Sequence, residues 1–109
     1  RHAETLWDTP LRLRYRGLEP SAKYKVRVVY SPEHPERRIR LYAANGVQIH
    51  PYMEKPEPAK PLEFDVPPQT YANGELQLTF QGELGQGRNG RWTQVCEVWV
   101  LKASNNGSK

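Results

Sequence analysis

Hydrophobic and polar positions alternate with a period of two along most of this chain, and prolines or glycines break the alternation every dozen residues or so. Leu11, Leu13 and Tyr15 share one parity, Arg12, Arg14 and Arg16 the other. Successive side chains of a strand point to opposite faces of its sheet, so this pattern predicts a strand with one face buried. Tyr24, Val26, Val28 and Tyr30 repeat it against Lys25, Arg27 and Val29, until Pro32 and Pro35 end the run. Residues 39–43 and 47–50 flank Asn45-Gly46, a dipeptide that tolerates positive φ and so predicts a hairpin. Residues 62–66 predict a fifth strand, Leu76, Leu78 and Phe80 a sixth after a turn at Asn73-Gly74, and residues 93–102 a seventh. Residues 51–61 hold Pro51, Pro56, Pro58 and Pro61, none of which can donate to a hydrogen-bond ladder, and are expected to form a long loop. The glycine-rich residues 82–92 predict another.

Seven short strands joined this way predict an all-β fold, a two-sheet antiparallel β-sandwich or jelly roll. A chain of 109 residues has room for one core of this kind. The expected domain is residues 1–103, with the polar residues 104–109 as a tail. The chain opens on Arg1 without an apolar leader and reads as a piece excised from something longer. No apolar run approaches the ~20 residues of a membrane-spanning helix.

Composition excludes several chemistries. The single Cys96 rules out a disulfide framework and a four-thiolate zinc site, and its apolar neighbours predict a buried thiol. His2, His34 and His50 are scattered, and no nucleophile elbow or His-Glu-x-x-His is present. Gly85-Gln86-Gly87-Arg88-Asn89-Gly90 is dense in glycine but lacks the Lys-Ser/Thr ending of a phosphate loop. No catalytic set emerges and no cofactor is required. The net charge is +4, spread along the chain, which weakly suits an anionic partner. No DNA- or RNA-binding motif accompanies it, so nucleic acid is not expected. The chain is expected to be monomeric.

Antiparallel alternation sorts the connections between two poles. One pole receives the short turns at Pro20, at Asn45-Gly46 and at residues 68–74. The other receives the entry segment through Pro10 and residues 31–38, 51–61 and 82–92. These longer segments carry side chains that turning does not require: Trp7, Asp8, His34, Arg37, Tyr52, Glu54, Lys55, Arg88, Asn89, Arg91 and Trp92. Loops on a rigid scaffold are favoured binding surfaces. Aromatic rings stack on the C–H faces of sugars, while guanidinium, carboxylate and amide forks grip hydroxyls or a carboxylate. The candidate ligand-binding residues are therefore Trp7, His34, Arg37, Tyr52, Glu54, Arg88, Asn89, Arg91 and Trp92, led by Trp92 beside Arg91 and by Tyr52 near Glu54. The competing expectation for Trp7 and Trp92 is that they cap the open end of the core. Tyr15, Tyr24, Phe64, Phe80 and Trp99 lie in strand patterns and are expected in the core. The Arg12, Arg14 and Arg16 row suits a uronate or sulfated polysaccharide, although a solvated face with cross-strand acid partners is the commoner origin of such a row.

Leu11-Arg12-Leu13-Arg14-Tyr15, Tyr24-Lys25-Val26-Arg27-Val28-Val29-Tyr30, Arg38-Ile39-Arg40-Leu41, Leu62-Glu63-Phe64-Asp65-Val66-Pro67 and Gln94-Val95-Cys96-Glu97-Val98-Trp99-Val100 together resemble the galactose-binding-like jelly-roll domains appended to bacterial polysaccharide-degrading enzymes. The resemblance runs from about residue 5 to residue 102. It implies a non-catalytic carbohydrate-binding accessory domain of a larger secreted or periplasmic enzyme, whose partners are a polysaccharide or oligosaccharide and the rest of the parent chain. Many such domains also hold a structural calcium between the entry segment and the last strand, and Glu4, Asp8 and Glu97 are the matching residues here. The alternative is a structural or protein-interaction sandwich of the fibronectin or immunoglobulin sort, with no sugar ligand. A small enzyme ranks below both.

Overall fold

The structure is a computed structural model and describes residues 3–5, 10–31, 38–56, 58–82 and 93–103. It is all-β, with two antiparallel sheets of four strands each. In chain order the strands are β1 (Ala3–Thr5), β2 (Leu11–Tyr15), β3 (Tyr24–Tyr30), β4 (Arg38–Ala43), β5 (Gln48–Glu54), β6 (Leu62–Asp65), β7 (Leu76–Gly82) and β8 (Thr93–Lys102). The first sheet runs β1-β8-β3-β6 and the second β2-β7-β4-β5. Strands 1 and 8, 2 and 7, 3 and 6, and 4 and 5 are therefore neighbours, as if one long hairpin had been wrapped around a core.

The period-two pattern decides which side chains meet between the sheets. Tyr24, Val26, Val28 and Tyr30 face inward from β3, Ile39, Leu41 and Ala43 from β4, and Leu76, Leu78 and Phe80 from β7; all are buried. Leu11, Leu13 and Tyr15 of β2 pack against this core from the sheet edge. At the β4–β5 turn Asn45 and Gly46 both have positive φ (62° and 74°), the conformation for which the Asn-Gly pair is suited.

Several expectations need correction. An eighth strand, β1, pairs with β8 through Ala3↔Val95 and Thr5↔Thr93; three residues are too short a run to show alternation. Residues 51–54 are not loop. Pro51, Tyr52 and Glu54 belong to β5, which continues past the proline because β5 is an edge strand and a missing N–H on its outer side breaks no ladder. Between the pairs Leu41↔His50 and Ile39↔Met53, both Pro51 and Tyr52 oppose the single Arg40, a bulge. Trp99 is not in the core but 41% exposed. Val98 and Val100 stand opposite the inward Val28 and Val26, and Trp99 between them must face out. The final strand is apolar at both parities, so alternation alone could not choose. A bulge at Cys96, between the pairs Tyr30↔Val95 and Val29↔Glu97, then returns Val95 to the interior, where it is fully buried. The Cys96 side chain lies outside the described residues, as does the tail from residue 104.

Where only a turn was expected, Pro68–Tyr71 forms a short 3-10 helix that drops Tyr71 into the core. The Tyr71 hydroxyl donates to the Ala22 carbonyl (2.7 Å), and its ring meets Tyr24 edge-on at 5.1 Å. Gly74 closes this connection with φ +85° and accepts from the Leu18 N–H (2.9 Å). A side chain there would enter the left-handed region and bring its Cβ to 3.3 Å from the Leu18 carbonyl oxygen, so glycine is required.

Candidate functional site

Strand pairing fixes the two poles. The β2–β3, β4–β5 and β6–β7 connections fall at one pole. The ends of β1, β3, β5 and β7, from which the four longer segments depart, fall at the other, where the rungs Thr5↔Thr93, Tyr30↔Val95, Arg38↔Glu54 and Ile39↔Gly82 lie. Of the expected ligand-binding residues, Trp7, His34, Arg37, Arg88, Asn89, Arg91 and Trp92 lie outside the described residues. Tyr52 and Glu54 are described, and they stand on a strand rather than in a loop. They lie on the outer face of the second sheet, which also carries Arg12 and Arg14 of the basic row.

That face is built by the polar parity of four strands. β2 contributes Arg12 and Arg14, β7 Gln77, Thr79 and Gln81, β4 Arg38, Arg40 and Tyr42, and β5 Tyr52 and Glu54. Register sets them in rows: Arg14 opposite Gln77, then Arg12 and Tyr42 on either side of Thr79, then Gln81 beside Arg40, then Arg38 opposite Glu54. At its centre the Arg40 guanidinium lies 4.5 Å from the Tyr42 ring centroid and 5.4 Å from that of Tyr52. Two of its nitrogens, Nε and Nη2, donate to the Gln81 side-chain oxygen at 3.3 and 3.0 Å. Cation–π contact and the amide thus fix the guanidinium without neutralising it. Thr79, although on the outer face, is only 4% exposed, standing in register between Arg12 and Tyr42.

The charges of the two outer faces differ. On the first sheet Lys25 meets Asp65 at 2.8 Å and Arg27 meets Glu63 at 2.6 Å, while Trp99 lies 5.8 Å from the Arg27 guanidinium and Glu97 stands opposite Val29. The Lys25–Asp65 hydrogen bond and charge raise the lysine pKa and lower the aspartate's. Every cation named there has an acid partner. On the second sheet, Arg14 pairs with Glu75 at 2.8 Å. Arg12 and Arg40 have no carboxylate partner among the described residues. The basic row expected at Arg12, Arg14 and Arg16 is therefore partly the solvated face with acid partners and partly unneutralised.

Hollows follow the same surface. A groove of about 230 Å³ is lined by Arg12, Leu13, Arg14 and Gln77. It shares Gln77 with a polar cleft of about 290 Å³ between Asn45, Gln69, Thr70, Asn73 and Glu75. A third hollow of about 400 Å³, lined by Tyr24, Val66, Pro68 and Tyr71, is more apolar and lies near Ala103 at the short-turn pole.

Beneath the bulge of β5, His50 is 3% exposed. Its Nδ1 lies 2.8 Å from the Pro51 carbonyl oxygen, which can only accept, so Nδ1 carries the proton. Nε2 then accepts from the Tyr30 hydroxyl at 2.6 Å. Burial lowers the imidazole pKa, against a smaller opposing effect of the Pro51 carbonyl, and pushes the Tyr30 hydroxyl well above 10.0. The pair is neutral, satisfied and closed to solvent, an arrangement suited to holding β3 on β5 rather than to moving protons.

The calcium expected at Glu4, Asp8 and Glu97 falls partly on side chains outside the described residues, that of Glu4 among them; among those described, no three His, Cys, Asp or Glu side chains gather. Glu4 pairs with Gln94 and Glu97 with Val29, three residues further along β8, and Asp8 lies outside the described residues. Among those residues no helix is long and apolar enough to cross a membrane. No protein-family model, curated protein or solved structure matches the chain.

Proposed function

We propose that this chain is a non-catalytic carbohydrate-binding domain of jelly-roll type, an accessory module of a larger secreted polysaccharide-degrading enzyme, that recognises glycan on the outer face of its second sheet. The neighbour pairs 1·8, 2·7, 3·6 and 4·5 support the jelly-roll reading, because a hairpin wrapped over two sheets yields that order. One observation carries the binding role: Arg40 held by Gln81 against two half-exposed tyrosines. Rings offer flat platforms for sugar C–H faces, and the amides and guanidinium offer directional partners for hydroxyls, with their geometry set before ligand arrives. Glu54 and the hydroxyl of Tyr52 extend the same polar row.

Affinity electrophoresis through gels containing soluble polysaccharides tests the role. The native chain is expected to be retarded by at least one polysaccharide. Tyr52→Ala and Tyr42→Ala are each expected to weaken that retardation by about tenfold or more, since loss of one stacked ring is worth roughly 1.4 kcal/mol. Their thermal midpoints should stay near the parent's, because both rings are on the surface. Retardation that survives both substitutions would place recognition elsewhere.

The apolar hollow beside Ala103 favours a second reading, in which the short-turn pole docks on a neighbouring domain. The Tyr24 hydroxyl accepts from the Glu19 N–H and the Tyr71 hydroxyl donates to the Ala22 carbonyl, so both hydroxyls keep a partner within the chain when an apolar surface covers the hollow.

A further inference from the structure

We infer that the ligand of the second sheet's outer face is an acidic polysaccharide of the uronic-acid class, bound along the line from Arg12 to Arg40; this rests on the glycan-binding reading above. Charge complementarity carries it. Among the described residues this face carries Arg12 and Arg40 without a carboxylate partner, beside the Arg14–Glu75 pair and with Arg38 opposite Glu54 in register. The opposite face offsets Lys25 and Arg27 with Asp65 and Glu63. Of the two outer faces, the one with unpartnered arginines among the described residues is therefore the one that also carries the tyrosine pair and the polar groove.

Geometry narrows the class. Arg12 pairs across β7 with Thr79, which pairs in turn with Tyr42, two residues along β4 from Arg40. Arg12 and Arg40 are thus two strand spacings apart and two residues offset, on the order of 12 Å. No single carboxylate bridges that span, but a polymer with a carboxylate on successive sugars does. The planar guanidinium fork matches a planar carboxylate, and Arg12 keeps its donors unused among the described residues. Tyr42 and Tyr52 flank Arg40, so a sugar ring stacked there brings its own carboxylate within reach of the fixed cation. Thr79 and Gln81 of β7 span the rows of the two arginines, with Gln77 in the next row opposite Arg14, and the glutamines offer amides to the ring hydroxyls.

Polygalacturonate and its fully methyl-esterified form isolate the charge, because they share a backbone. The full chain is expected to bind polygalacturonate at least about tenfold more tightly than the ester, and to weaken as salt rises. Arg12→Gln and Arg40→Gln should each cost about tenfold, whereas Arg27→Gln, on the other face, should leave binding unchanged. Equal binding of acid and ester would overturn the acidic class while sparing the glycan-binding reading. Absence of binding to every polysaccharide in a neutral and acidic panel would overturn both. Tighter binding of dextran sulfate than of polygalacturonate would overturn the uronate assignment, and equal binding of single-stranded RNA would show a general polyanion surface instead.

Discussion

Replacing Phe80 by alanine is expected to destabilise the fold by about 3–5 kcal/mol, the usual cost of emptying a buried aromatic site. Phe80 has no exposed surface. It sits in the second sheet between Leu11 of β2 and Leu41 of β4 on one rung, and meets the Tyr30 ring edge-on at 6.0 Å. Removing it deletes the Phe80–Tyr30 contact between the two sheets, and the close-packed neighbours cannot collapse fully into the space. Urea unfolding checks this as a lower midpoint with an unchanged slope. Phe80→Leu should recover most of the loss. A midpoint for Phe80→Ala within 0.5 kcal/mol of the parent would mean that the sheets do not meet there.

The second large effect concerns Tyr30 and His50. Tyr30→Phe removes the donor to His50 Nε2 among the described residues, and His50→Leu removes the acceptor for the Tyr30 hydroxyl. Each single change strands a buried polar atom and is expected to cost about 1–3 kcal/mol, whereas the double variant should cost clearly less than the sum. The pair also sets a pH dependence. The folded-state pKa of His50 lies below its ordinary 6.5, so the native state binds fewer protons than the unfolded chain. The contribution is present above about pH 6.5 and is lost as pH falls through the lowered value. Denaturation midpoints measured from pH 8 down to pH 5 should drop for the parent and much less for His50→Leu. Parallel profiles would show that His50 does not remain neutral on folding.

How far the sequence carries can be judged strand by strand. Val26, Ile39, Leu78 and Phe80 announced their inward parity because each stands between polar neighbours. The pole assignment followed from the same alternation. Trp99 could not be placed, since Val98, Trp99 and Val100 are all apolar and only the register against β3 decides between them. Pro51 suggested a break because a proline reads as a ladder defect, yet its harm depends on whether the strand is at an edge, which is a property of sheet order. The candidate site was hidden for the same reason. Arg40 and Tyr42 stand out within β4 by parity, as Gln77 and Gln81 do within β7, but nothing local brings β7 between β2 and β4. That neighbourhood is created by contacts between residues 11–15, 38–43 and 76–82, far apart in the chain. Tyr52 and the nearby Glu54 are the two residues of this surface that the sequence marks among the leading binding candidates, and the Arg12 row stands out in sequence without the tyrosines that lie beside it in the fold.

Backbone amide shifts recorded during titration with a polygalacturonate oligomer test the glycan-binding face most directly. The expected perturbations centre on Arg12, Gln77, Thr79, Gln81, Arg40, Tyr42 and Tyr52, with Lys25, Arg27 and Trp99 unmoved. Shifts confined to Lys25, Arg27 and Trp99, or to the hollow around Tyr24 and Tyr71, would contradict it.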